Sequence, residues 1–205
     1  MINETIGAVL QILIFSLIPF LVYLIGHKKA KGFFDYIGLK KSTNKANMLA
    51  ILACLLFAAP TLILTLSNAE IREIMFDPFS ITGKFRAMGL SASSIYLVII
   101  LAVFKTSLAE EILFRGFIAK RLISWLGYLK GNILQSFIFG IIHTLLFAMM
   151  TSNYFFLILI FIVPSIGSYV SAYLNEKMAG GSIIPGWISH GLANILAYSI
   201  VGFLM

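Results

Sequence analysis

The sequence predicts an all-α fold: a polytopic transmembrane bundle of about six spans, with a polar active-site cavity inside the membrane. Three observations predict it. Of the 205 residues, 60% are hydrophobic and 11% charged, and mean hydropathy is +1.00; an ordinary soluble domain is roughly 25% charged and 45–50% apolar. The charges fall between apolar stretches near the ~20 residues that a helix needs to cross the hydrocarbon core. From Lys130 to Glu176 there is no Asp, Glu, Lys or Arg at all. Disorder is excluded by the hydrophobicity, and a disulfide scaffold by the single cysteine, Cys54, which packs as a small hydrophobe in an apolar run. The net charge of +7 predicts no nucleic-acid partner, because the basic residues lie between apolar spans rather than on a solvated face. The expected partner is the lipid bilayer.

Gaps between charges set the spans: Ile6–Gly26, Met48–Ser67, Ser94–Ile123, Ile133–Met149, Phe155–Leu174, and Ile183 to the C-terminus, with a turn at Met150-Thr151-Ser152-Asn153. Pro19, Pro60 and Pro164 fall inside spans, where kinks are expected. The first span has Glu4 before it and lysines after it, so it reads as a retained helix and not a cleaved signal. Segment 1–92 is then a pair of N-terminal helices with their loops, and 93–205 is the part that holds nearly all the intramembrane ionisable groups.

Loop charge orients the bundle. Loop one carries Lys28, Lys29, Lys31, Lys40, Lys41 and Lys45, loop three Lys120, Arg121 and Lys130, and loop five Lys177. Loop two offsets Arg72, Lys84 and Arg86 with Glu70, Glu73 and Asp77. Odd loops are expected in the cytoplasm, both termini outside, and the site opening toward the cytoplasm. Loop two, Asn68–Ala92, has room for an interfacial amphipathic segment built on Ile71, Ile74, Met75 and Phe79.

Charged groups inside spans are costly and mark function by default. Glu111 and Arg115, four apart, share a helix face and can pair; Glu110 is rotated about 100° from Glu111, which leaves one carboxylate unneutralised. His143 lies in the uncharged stretch, and His190 and Asn194 share a face of the last span. At ~1.5 Å per residue, Glu110, His143 and Asn194 lie roughly 15–16 Å from the lysine-rich boundary and His190 roughly 10 Å. Lys105, at mid-span, has no assignment.

A carboxylate near imidazoles can deprotonate water, and an imidazole with an amide can stabilise an oxyanion. Together they describe amide hydrolysis. Alternatively Glu110, His143 and His190 could hold zinc, whose bound water becomes the nucleophile; no HExxH is present. No serine stands in a nucleophile-elbow context. A non-catalytic immunity or peptide-binding protein could use the same polar cavity, and full activity of a folded Glu110→Ala protein would favour it.

Glu110-Glu111-x-x-x-Arg115, Phe139-x-x-x-His143 and His190-x-x-x-Asn194, within the strings EEILFRG, FGIIH and SHGLAN, resemble the three motifs of the CAAX protease and bacteriocin-processing (CPBP, or Abi) family, which includes the Ras-converting CAAX prenyl endopeptidases. The resemblance covers about Ser94–Asn194. It implies an intramembrane endopeptidase acting on a membrane-associated peptide or protein, in which Glu110 and His143 activate water, His190 and Asn194 form the oxyanion site, and Glu111 and Arg115 support them. The family is often labelled metalloprotease, and a metal-free glutamate mechanism is also argued for it; the cofactor is none or zinc. This short, lysine-rich chain looks like a prokaryotic member, for which a prenylated substrate is not expected. Prokaryotic relatives are linked to bacteriocin immunity, peptide maturation and pheromone signalling.

Overall fold

A computed structural model describes residues Met1–Met205. It is entirely helical, with no strand. Its nine helices are α1 (Ile2–His27), α2 (Phe33–Tyr36), α3 (Asn44–Ser67), α4 (Ala69–Phe76), α5 (Ile81–Met88), α6 (92–126), α7 (Tyr128–Ala148), α8 (Tyr154–Met178) and α9 (Ile184–Leu204). Five of them, α1, α3, α7, α8 and α9, are long and apolar enough to cross a membrane. The sixth predicted span is α6, which traverses the bundle but carries the charges of the site. At about 1.5 Å per residue, the 26 residues of α1 make a rod of roughly 39 Å, longer than the ~30 Å hydrocarbon core.

Five of the helices start where a polar side chain takes an orphan N–H. Thr43 accepts from Ala46, Asn68 from Ile71, Ser80 from Gly83 and Asn153 from Phe156, and Ser91 with Ser94 forms a capping box at the start of α6. The helices run on through Pro19, Pro60 and Pro164. The amphipathic segment predicted for loop two is two short helices, α4 and α5. Ile71 and Met75 of α4 are buried in the bundle, whereas Phe79 between the helices is 93% exposed.

The bundle has two distinct ends. Segments 28–43, 120–130 and 175–184 meet at one: Ile183 N donates to Gly38 O, Ser182 Oγ to Lys40 O, Thr43 Oγ1 to Met178 O, and Lys120 Nζ to Gly181 O and Glu176 Oε1. The N-terminus, α4, α5, the 149–153 turn and the C-terminus meet at the other. There Thr5 bonds Tyr96, Asn153 donates to Glu70, and Phe85 packs on Phe203.

Burial is distributed as a lipid solvent requires. Only 53 of 205 residues are buried, and leucines and isoleucines of α1 and α3 lie exposed along their length. The interior instead holds small and polar groups. Between α7 and α8, Gln135 donates to Asn132 Oδ1 and Ser168 O, Ser168 donates back to Gln135 Oε1, and Asn132 reaches Tyr169 O. Such interhelical bonds contribute about 0.6 kcal/mol each in a membrane. Gly140 lets α7 close on Phe161 and Ser165 of α8.

Lys105 has a place in this architecture. Its ammonium lies 2.9 Å from Glu4 Oε2, and Lys84 lies 2.6 Å from Glu4 Oε1, so one carboxylate ties α1 to α5 and α6. Gly7 leaves room for the Lys105 side chain to pass.

Candidate active site

The six predicted residues converge from three helices. The carrier, α6, departs from the regular helix expected of it: Ile100–Leu108 and Glu111–Ala119 are π-helical, a widened turn frequent at functional sites. Glu111 and Arg115 pair as predicted, with Nε 3.3 Å from Oε1 and both side chains sealed from solvent. Arg115 also lies 4.0 Å over the ring of Phe139, which meets Phe114 edge-on at 4.9 Å. Phe139 is therefore a platform that fixes the guanidinium by cation–π contact, while its carbonyl oxygen accepts a bond from His143 Nδ1 at 2.9 Å.

That last bond settles a tautomer. A carbonyl only accepts, so His143 carries its proton on Nδ1 and, when neutral, presents a bare Nε2 to the cavity. Nε2 stands 3.9 Å from Glu110 Oε2. His190 Nε2 stands 3.9 Å from the same oxygen, and its Nδ1 faces Glu111 Oε1 at 3.5 Å. One imidazole thus lies across both adjacent carboxylates, although these point to different faces of α6. Close approach of α9 is possible because residue 186 is glycine: a Cβ there would collide with Glu111 Oε2 and crowd Asn175 Nδ2. Asn175 Oδ1 accepts from Gly186 N and holds the first turn of α9.

The amide of Asn194 meets two hydroxyl groups of α6. Its Nδ2 donates to Thr106 Oγ1 at 2.9 Å and to Ser107 Oγ at 3.3 Å. Thr106 and Ser107 were not picked out from the sequence. The available signal was spacing: Thr106 precedes Glu110 by four residues, and Tyr198, another unpredicted polar lining residue, follows Asn194 by four.

These groups line a cavity of about 440 Å³ between α3, α6, α7, α8 and α9. Its wall is mostly apolar, with Phe57, Leu64, Phe147, Leu159 and Ile160 beyond the polar foot. Opening at the lysine-rich end was expected. The lining instead runs from Glu110 and Arg115 toward Met75, Phe79, Thr82 and Met150, at the opposite end. The lysine-rich end is closed by the buried cluster of Ile37, Ile112 and Ile183. Depth arithmetic gave the distance of each residue from that end, but it could not see that segments 36–43 and 175–184 fold across it.

The donor set does not fit zinc as placed. Ligands at ~2.0–2.2 Å from a tetrahedral zinc lie about 3.3–3.5 Å apart, closer than the two 3.9 Å separations, and no three His, Cys, Asp or Glu side chains form a metal-binding group. Two groups each about 2.8 Å from one water oxygen lie about 3.9 Å apart at a near-right angle. The spacing suits a shared water. Glu110 Oε2 is buried and has no hydrogen-bond partner in the protein.

The fold is an all-α membrane bundle with a carboxylate and two imidazoles in its interior. Residues 92–196, half of the chain, match the family described as Type II CAAX prenyl endopeptidase Rce1-like, and the chain belongs to that family. The match begins at the first residue of α6 and ends within α9, so it spans all six of the predicted site residues. No curated protein and no solved structure matches the chain. The family makes this multi-pass membrane protein a CAAX-type intramembrane protease in general.

Proposed function

We propose that the chain is an endopeptidase that cuts a membrane-associated peptide or protein with a water activated by Glu110 and His143, without a metal. The observation that carries this reading is Glu110 Oε2 standing 3.9 Å from Nε2 of both His143 and His190 at the foot of an apolar cavity.

An ionised Glu110 and the bare Nε2 of His143 are both acceptors. A water between them directs its two hydrogens at the two groups and its lone pair at a substrate carbonyl. As the water oxygen bonds to the carbonyl carbon, Glu110 takes its proton and the carbonyl π electrons move to oxygen. His190, on the other side of Glu110, faces that oxygen and stabilises the charge. Collapse of the tetrahedral intermediate breaks the C–N bond, and the proton held by Glu110 passes to the departing amine. Glu111, Arg115 and Phe139 hold His190 and the end of α9 in register. The apolar wall accommodates a substrate segment drawn from the bilayer.

The test is cleavage by protein reconstituted in liposomes, on internally quenched apolar peptides with and without a farnesyl group. Cleavage of either peptide that survives chelation and vanishes in Glu110→Gln supports the proposal. Reversible loss on chelation overturns the metal-free mechanism, undiminished cleavage by Glu110→Gln overturns Glu110 as the base, and cleavage of neither peptide overturns the enzymatic reading. We further place the lysine-rich end in the cytoplasm and both termini outside. Phe79→Cys in a Cys54→Ala background should react with an impermeant thiol reagent added to intact cells, and Lys29→Cys should not.

A further inference from the structure

Asn175, near the end of α8, lies outside all three motifs. It is 1% exposed and does not line the cavity. Its carboxamide is oriented by a group that cannot turn: Gly186 N donates to Oδ1 at 2.9 Å. A backbone N–H only donates, so the amide oxygen must face it and Nδ2 is left for another partner. A Cβ at residue 186 would crowd both Nδ2 and Glu111 Oε2, so these two atoms flank the same Cα of α9. Both are buried, and neither has a hydrogen-bond partner in the protein. The other oxygen of Glu111, Oε1, faces Arg115 Nε at 3.3 Å and His190 Nδ1 at 3.5 Å.

We infer that Asn175 is a positioning residue for the proposed reaction, with the NH₂ end of its amide dipole on Glu111 Oε2. The torsion that turns a glutamate carboxylate is broad, and Arg115 and His190 both hold Glu111 by Oε1. A hold on Oε2 stops that rotation and keeps Oε1 on His190. A donor facing a carboxylate is charge-assisted, and stronger than one facing a neutral acceptor. The oxygen end of the same amide holds Gly186, four residues and about one helical turn before His190. One side chain thus sets α9 against α6 at the contact between Glu111 and His190. The contact follows from the geometry, and only its effect on rate rests on the peptidase reading.

The test reads His190 directly. The chain has three histidines, His27, His143 and His190, so protein ¹⁵N-labelled at histidine gives few ring signals, assigned by their loss in His143→Gln and His190→Gln. In Asn175→Leu the Nδ1 signal of His190 should move by several ppm as Glu111 Oε1 turns away, while the signals of His27 and His143 stay in place. An unmoved His190 signal overturns the proposal, whatever the activity does. Should Asn175→Leu fail to fold, Asn175→Asp keeps the acceptor that Gly186 needs and puts an oxygen in place of Nδ2. Ionised or sharing a proton with Glu111, that acid alters the charge His190 faces, and an unmoved signal overturns the proposal equally. In cleavage of the quenched peptide, Asn175→Leu should lower kcat about 10–100-fold and keep KM within about twofold, because Asn175 touches no substrate. A raised KM with kcat unchanged assigns Asn175 to substrate binding and overturns the positioning role. If the unsubstituted protein cleaves nothing, the peptidase reading fails, while the His190 signals still decide the contact.

Discussion

Two clusters of charge lie along α6, and they are built on opposite plans. At Lys105, every charge has found its partner: two ammonium groups lie 2.6 and 2.9 Å from the two oxygens of Glu4, in partly exposed surroundings. One helical turn and a half further on, around Glu110, the groups are more deeply buried and further apart, at 3.3–3.9 Å. Both oxygens of Glu111, Oε2 of Glu110 and Nδ1 of His190 lack a hydrogen bond there. Burying polar atoms unsatisfied is costly, so the second cluster is not explained by stability. The difference teaches how to tell a structural charge from a working one in this membrane protein: the first kind is saturated, and the second keeps hydrogen-bonding capacity unused.

The sharpest way to break the comparison is at Glu110. Glu110→Gln removes the base and keeps the shape, and cleavage should fall about 10²–10⁴-fold while thermal unfolding in detergent stays near that of the unsubstituted protein. A large drop in unfolding temperature would place Glu110 among the saturated charges. Next in size is Arg115→Met, which strands Glu111 in a sealed site and should destabilise by about 3–5 kcal/mol, whereas Glu111→Leu/Arg115→Met together should recover most of that stability. Activity should not return with it, because His190 loses its carboxylate. Gly186→Ala drives a methyl group into Glu111 and should cost about 1–3 kcal/mol, read from the same unfolding curves. The smallest effect belongs to the saturated cluster: Lys105→Met should shift stability by no more than about 1 kcal/mol and leave the rate of cleavage unchanged. Loss of cleavage in that variant would erase the distinction.

Much of this was legible in sequence because lipid punishes charge. The spans followed from counting apolar residues between charges, and errors at their ends reflect polar first turns such as Asn44-Lys45 and Tyr128 that a hydropathy count discards. The convergence of Glu110, His143, His190 and Asn194 followed from similar depth on helices that enter from one end. Other features depended on which helix meets which. Periodicity states the face on which Lys105 lies but not that Glu4, a hundred residues earlier, will reach it. Nor does it show the widened turns of α6, the cap over the lysine-rich end, or the hydroxyl pair that meets the Asn194 amide. These arise from contacts between segments remote in sequence, and a pattern read along one helix contains no term for them.

The π-helical stretch Ile100–Leu108 makes α6 a matter of phase as well as composition. Deleting a single residue from the regular turns that precede it, Ile95 for example, would turn everything beyond the deletion by about 100° relative to everything before it. Glu110 would swing off the cavity while the span kept almost all its length, its hydropathy and each side chain the reaction uses. Such a protein would still carry all three motifs and would be silent, because the catalytic instruction is stored in the angular offset between two halves of one helix.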